Sequence, residues 1–474
     1  MKHGSRILGF LAIPFLALAL FWLAETRPGY FTNLTYLGGI LLLEMVVVTI
    51  WHYEKVFFVV LMLTFLWAGS NLPLSGVGNG VRWVFLFVGA LAGVVKWAGR
   101  EPRQHFSAVH LVAMLCVLSA AVSAMVSSRT EISLLKAASL CLLFLYGSCG
   151  ARVALAGRES AFFRGLLTAC EVTSYLSGLL YIVVHFEIFG NPNSLGAVMG
   201  VVVIPVLLWG VLVTEDQYVR HRRTVALCLA TYLLYSSISR AGILACAVAF
   251  TVGCLVAHRE KLLIKGAFAV VFLAATVAVL QPAQFDALQS SFTQDLLYKG
   301  KPEEGILGSR ISPWQETVDV IKESPWFGSG FGTDRVQGHA LSDSIVYTMS
   351  GSNREHGNSY LALLQYVGLL GIVPFLILLF VVMRLVWRVF AEIWRTRNPQ
   401  HYAFPLALIC LAGLIHAFFE DWLFAVGYYL NVLFWTSVFL LSDLQPGRAR
   451  PMVVSRVWTK SPPDASRIPL SANQ

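Results

Sequence analysis

Four basic side chains of this sequence stand where helices are predicted to begin. Arg240 directly follows Ser239, Arg310 lies two residues before Ser312, and Arg354 and His356 come just ahead of a long apolar run. A cation there opposes the positive end of the helix dipole and is disfavoured on its own. The arrangement makes sense when an anion sits between the cations and the free backbone N–H groups of the helix starts. A fourth start, Asn191-Pro192-Asn193-Ser194, carries no charge, and its amides suit sugar hydroxyls or phosphate oxygens.

The elements that must position these residues are membrane spans. Of 474 residues 57% are hydrophobic and 13% charged, about half the charge of an ordinary soluble domain. Apolar stretches near the 20 residues needed to span a bilayer run over about 7–24, 34–51, 56–70, 82–98, 107–126, 132–149, 163–186, 194–214, 223–238, 240–257, 263–281, 357–380, 403–418 and 423–442. Most Lys and Arg fall in the N-terminus, in the loops around Arg100, Arg158, Arg222, Lys261 and Arg388, and in the C-terminal tail, all on one side. By the positive-inside rule those loops and both termini are cytoplasmic, and Arg240, Arg310, Arg354 and His356 face outward. The net charge of +9 is therefore a matter of topology, and no nucleic acid is expected. Met1–Arg6 with the apolar run behind it resembles a signal sequence, but without a small-x-small cleavage site it reads as a retained helix. The eight cysteines lie in or beside spans, which argues against a disulfide framework or a thiolate metal site.

One sizeable loop, about 281–355, lies on the outer side. Within it Ser312-Pro313-Trp314-Gln315 reads as an N-cap, an N1 proline and a capping-box glutamine, with Trp314, Val318 and Ile321 on one face and Pro325 as the stop. The following Trp326-Phe327-Gly328-Ser329-Gly330-Phe331-Gly332 allows tight turns and close approach of a ligand, or is a turn anchored by aromatics at the lipid interface. Of the ionisable residues inside spans, Lys136 is expected to snorkel, while Glu171 has no neutral explanation.

Asn191–Gly196, Ser239-Arg240-Ala241-Gly242, Gly308-Ser309-Arg310 with Trp314 and Gly328–Gly332, and Glu355-His356-Gly357-Asn358-Ser359-Tyr360-Leu361 running into Val367–Gly371 together resemble the O-antigen ligase and polymerase superfamily. These pieces span roughly 190–375. The chain departs from the family's pattern in Gly357, which separates His356 from Asn358, and in fourteen spans against about a dozen.

The resemblance implies an all-α polytopic membrane protein of GT-C-like architecture, with about 12–14 transmembrane helices and one large extracytoplasmic loop holding short helices. It divides the chain into a transmembrane bundle (1–281), a periplasmic loop domain (282–355), C-terminal transmembrane helices (356–442) and a disordered cytoplasmic tail (443–474). It places the protein in the bacterial inner membrane, moving a glycan from an undecaprenyl-diphosphate carrier to a sugar hydroxyl by an inverting route with no metal and no cofactor. One dominant outer loop leans toward a ligase with lipid A core as acceptor. A polymerase, a protein-directed O-oligosaccharyltransferase and, from another class, a transporter or lipid flippase are the alternatives. Arg240 and Arg310 suit the leaving diphosphate, because a guanidinium grips phosphate oxygens in pairs at any working pH. His356 suits the general base. Arg354, Asn191, Asn193, Ser239 and Asn358 are expected to bind substrate. Plainer roles are snorkelling for Arg240, a helix cap for His356, and pairing with Glu303, Glu304 or Glu316 for Arg310.

Overall fold

A computed structural model describes residues 22, 25–26, 34–48, 54–73, 75–98, 107–189, 191–298, 302–305, 307–333 and 356–445. The described residues are helical, with no strand among them. In hydrocarbon each backbone N–H and C=O needs an internal partner, and a helix supplies one within its own segment. In chain order the helices are α1 (Leu34–Val48), α2 (Glu54–Ala68), α3 (Ser75–Ala98), α4 (Ala108–Met125), α5 (Thr130–Leu155), α6 (Glu159–Val183), α7 (Pro192–Val213), α8 (Gln217–Ser236), α9 (Arg240–Val256) and α10 (Glu260–Leu280). There follow α11 (Pro282–Ser290), α12 (Gly308–Glu323), α13 (Ser359–Thr396), α14 (Ala403–His416) and α15 (Tyr429–Asp443). The chain is an all-α polytopic membrane protein.

A helix stands at each expected span from the second onward. Apart from Trp22, the first span lies outside the described residues, as do Arg354 and the tail beyond residue 445. Seven of the described helices are long and apolar enough to cross a membrane, and four more are apolar but shorter. At the remaining expected spans, α8 carries Arg220, Arg222 and Arg223 in its first turns, and α15 runs for 15 residues.

Two backbone features shape one end of the bundle. At the first, α7 and α9 cross so closely that a Cβ on Gly196 would stand 2.2 Å from Ser239 Cβ, and one on Gly242 would stand 2.6 Å from the Gly196 carbonyl oxygen. The two helix starts, capped by Asn191 and Ser239, thereby lie side by side. At the second, α13 breaks at Gly368 (φ 67°, ψ −176°). The glycine-rich segment fills the break: Ser329 and Gly330 amides donate to the Gln365 and Tyr366 carbonyls at 2.8 and 3.2 Å. In return, Leu369 and Leu370 amides donate to the Pro325 and Trp326 carbonyls at 2.8 and 3.1 Å. Broken helices inside membranes persist where other protein takes up the freed groups.

The glycine-rich segment is thus bonded to protein through its backbone, while the Trp326 and Phe327 side chains stay exposed. Hydroxyls of α4 and α5 hold it, with Ser123 donating to Phe327 O, Ser133 to Phe331 O, and Ser119 to Gly371 O just past the break. Lys136 finds a protein partner. Its ammonium donates to Gly332 O at 2.5 Å, because the segment brings a backbone acceptor within its reach.

The opposite end is locked by buried charges. Glu171 of α6 meets Arg222 at 2.7 Å and Arg223 at 3.0 Å, which answers the question the sequence left at that position. Arg152 grips Asp443 with two N–H groups at 2.5 and 2.6 Å and lies 2.7 Å from His110 Nε2.

Candidate active site

The helix starts that carry the basic residues fold largely as their caps dictate. Asn191 Oδ1 accepts from Ser194 N at 2.8 Å with Pro192 in the first helical position. Ser239 Oγ accepts from Gly242 N at 3.3 Å, which leaves Arg240 as the first residue of α9. Asn358 Oδ1 accepts from the amides of Tyr360 and Leu361 at 2.9 and 3.2 Å and starts α13. Ser239 and Asn358 are buried in these caps, so they orient backbone N–H groups.

The start of α12 differs from the expected one. Leu307 caps it, its carbonyl accepting from Arg310 N at 2.7 Å and Ile311 N at 3.1 Å, so Ser312 is already inside the helix. Pro313, expected at the first helical position, instead stands within the helix. The shift places Arg310 in the first turn of α12. Trp314 Nε1 donates to Gly357 O at 3.2 Å and docks α12 onto the chain entering α13.

Gly357 has a φ of 61°, and a Cβ there would meet Arg310 Nη1 at 2.8 Å and Cδ at 3.1 Å. The residue that departs from the family's pattern is therefore the surface on which the Arg310 guanidinium rests. Arg310 pairs with Glu420 at 2.5 Å, not with Glu303 or Glu316, because α12 lies over the turn that follows α14. The side chain of Glu304 lies outside the described residues.

That turn, 417–428, gathers the whole site. Glu420 takes one amino group of Arg310. Asp421 Oδ2 lies 3.0 Å from His356 Nδ1, an ion-pair distance that is off the hydrogen-bond axis, and His356 is fully buried. The Tyr366 hydroxyl reaches the same Asp421 oxygen at 3.4 Å, and its ring meets the His356 ring edge-on at 5.3 Å. Ser359 Oγ donates to Glu420 O at 2.7 Å and accepts from the amides of Trp422 and Leu423, fixing the turn to the start of α13. Arg82 of α3 donates to Gly427 O at 2.6 Å. The Tyr428 hydroxyl donates to Ser194 Oγ at 3.4 Å, and burial pushes its pKa up, so it remains a neutral donor.

Arg240 is joined to this group through charge, since its guanidinium is an electrostatic neighbour of Arg310. Arg240, Arg310 and His356 are thus brought to one end of the bundle, beside the helix starts at Asn191 and Ser239. Asn193 lies there too, in the first turn of α7. Glu420 and Asp421 have no part in the reading of the sequence given above. Their signal was present nonetheless: two adjacent carboxylates between apolar spans must be matched by nearby cations.

Two arginines, a histidine beside a carboxylate, and adjoining helix N-termini thus lie at one end of the bundle, groups whose chemistry suits an anion and a proton acceptor. A comparison with known families bears on that chemistry. Residues 224–376 match the O-antigen ligase family. The match covers about a third of the chain and includes Arg240, Arg310, His356 and the break at Gly368, while Glu420 and Asp421 lie outside it. This stretch is similar to the O-antigen ligase family, which supports the O-antigen ligase and polymerase superfamily and glycosyl transfer of that general type. No curated protein matches the chain.

Proposed function

We propose that the protein moves a glycan from an undecaprenyl-diphosphate carrier to a sugar hydroxyl at the periplasmic face of a bacterial inner membrane, inverting the anomeric centre. Lipid A core is the acceptor we favour, which makes the protein an O-antigen ligase. The observation that carries this reading is the turn 417–428, where adjacent carboxylates hold Arg310 and His356 side by side.

In the proposed reaction the acceptor oxygen attacks the anomeric carbon from the face opposite the diphosphate, and the bond from that carbon to the phosphate oxygen breaks. Negative charge grows on the leaving diphosphate, where Arg310 and Arg240 stand with the free amides of α7 and α9. One fixed donor aimed at such a charge is worth on the order of 3 kcal/mol. Glu420 occupies one of the guanidinium's two amino groups and keeps the Arg310 fork in place for the phosphate oxygens. His356 takes the acceptor proton, worth about 10²- to 10⁴-fold in rate. Asp421 steadies the imidazolium that results. The off-axis contact of Asp421 with Nδ1 is of the kind that tightens when substrate binds.

Purified protein supplied with lipid-linked glycan should join it to lipid A core. Arg240→Ala and Arg310→Ala should each lower the rate by about 10²- to 10³-fold, and His356→Ala by about 10²-fold or more. Turnover at the wild-type rate by these variants, correctly folded, would reject the site. Extension of one lipid-linked repeat by another, with lipid A core left untouched, would make the protein a polymerase. The transporter reading loses support from the break in α13, which protein fills on both sides. Flipping of lipid without a new glycosidic bond would restore it.

A further inference from the structure

His416, the last residue of α14, is 2% exposed, and its environment fixes the state of its ring. Trp422 Nε1 donates to His416 Nδ1 at 2.8 Å. An indole nitrogen only donates, so Nδ1 must offer a lone pair, and the ring's single proton sits on Nε2. A doubly protonated ring would set N–H against N–H. Trp422 is itself buried, packed edge-on against Phe434 at 5.8 Å, while Asn431 donates to its carbonyl at 3.2 Å. The tautomer is therefore locked by parts that have no room to turn.

The Nε2–H this leaves has no hydrogen-bond partner among the described residues. Such buried donors are rare, and each costs about 1–3 kcal/mol while unmatched. The charged neighbour of the ring is Arg310, which offers only donors of its own. What satisfies an N–H and a guanidinium together is an acceptor carrying negative charge between them. The end of α14 does not repel such a group, because its last carbonyls are already taken. Amides of Ala417, Phe418 and Phe419 bond to Gly413, Ile415 and His416, and the Ser359 amide bonds to Ala417. α9 packs along α14, which sets its first residue, Arg240, at the same end.

We propose that His416 is a further binding residue of the site, its Nε2–H donating to an oxygen of the diphosphate that Arg310 grips. The proposal rests on the function put forward above. The site then has two fixed cations and one neutral donor of fixed direction.

Binding of farnesyl diphosphate to the full-length protein in detergent, followed by calorimetry, tests it. His416→Asn retains an acceptor for Trp422 and withdraws the far donor, and is expected to raise Kd about 10- to 100-fold, as for one hydrogen bond to a charged group. His416→Gln returns an N–H to the place of Nε2 and should recover most of the affinity. Where the Asn variant does not melt cooperatively, Trp422→Phe serves instead: it frees the proton to move to Nδ1 and should weaken the probe several-fold. A folded His416→Asn or Trp422→Phe that binds as wild type does, with Arg310→Ala losing the probe, overturns the role of His416 and leaves the diphosphate site standing. Equal losses in the Asn and Gln variants also overturn it, since they mark a packing role. Wild type and Arg310→Ala binding the probe alike would reject the site reading itself.

Discussion

Two charged groups of the site have a carboxylate beside them, Glu420 at Arg310 and Asp421 at His356. His356 is fully buried, with the Asp421 carboxylate 3.0 Å from its ring. Asp421→Asn keeps the shape and removes the charge that steadies an imidazolium, so kcat should fall about 10- to 100-fold, a part of what a general base contributes. KM for the donor should hardly move, which steady-state kinetics with varied donor would check. Gly357 gives a sharper case. A methyl group there faces both a left-handed φ and an overlap with Arg310 Nη1. Gly357→Ala should therefore cost about 1 kcal/mol or more in stability and lower turnover nearly as far as Arg310→Ala does. A Gly357→Ala enzyme with normal turnover would show that Arg310 need not rest on that backbone.

At the scale of elements, the sequence made the helix starts legible because caps are local. Asn191, Ser239 and Asn358 each bond to an amide two or three residues on, and nothing distant is needed to expect that. It was less informative about α12, where Pro313 lies inside the helix although proline is favoured at a helix start, and about Lys136 and Glu171, whose partners lie 196 and 51 or 52 residues away. The turn 417–428 was missed as the organiser of the site for the same reason: its contacts run to α3, α7, α12 and α13. The break in α13 was likewise hidden, although its cause is now plain. At Gly368 a Cβ would stand 2.5 Å from the Trp326 carbonyl and 2.6 Å from Gly328 N, at a φ that side chains avoid. Gly368→Ala should expel the glycine-rich segment and destabilise the fold by at least about 2 kcal/mol, seen as a lower melting temperature in detergent. An unchanged melting point would mean that the break does not depend on the segment filling it.

Across the whole molecule, stability and chemistry are divided between the two ends of the bundle. α7 starts at the site and runs 22 residues to Val213, one residue before Thr214, whose hydroxyl accepts from Arg223. At 1.5 Å per residue the Glu171 cluster is about 30 Å from the helix starts. Removing its carboxylate takes a buried charge partner from Arg223, which is 5% exposed, a loss of about 3 kcal/mol or more. Glu420 is a carboxylate of the other kind, its side chain 27% exposed and its partner Arg310 in the site. Solvent moderates the cost of losing such a pair to about 1 kcal/mol. Glu171→Gln should therefore lower the melting temperature sharply while the protein that remains folded turns over normally. Glu420→Gln should melt close to wild type and turn over slowly, because the Arg310 fork loses its anchor. Melting curves and initial rates measured on the same preparations decide the matter. If both variants lost stability and rate in the same proportion, the two ends would be one cooperative network, and the positions of Arg310 and His356 would depend on the far ion cluster as much as on the turn beside them.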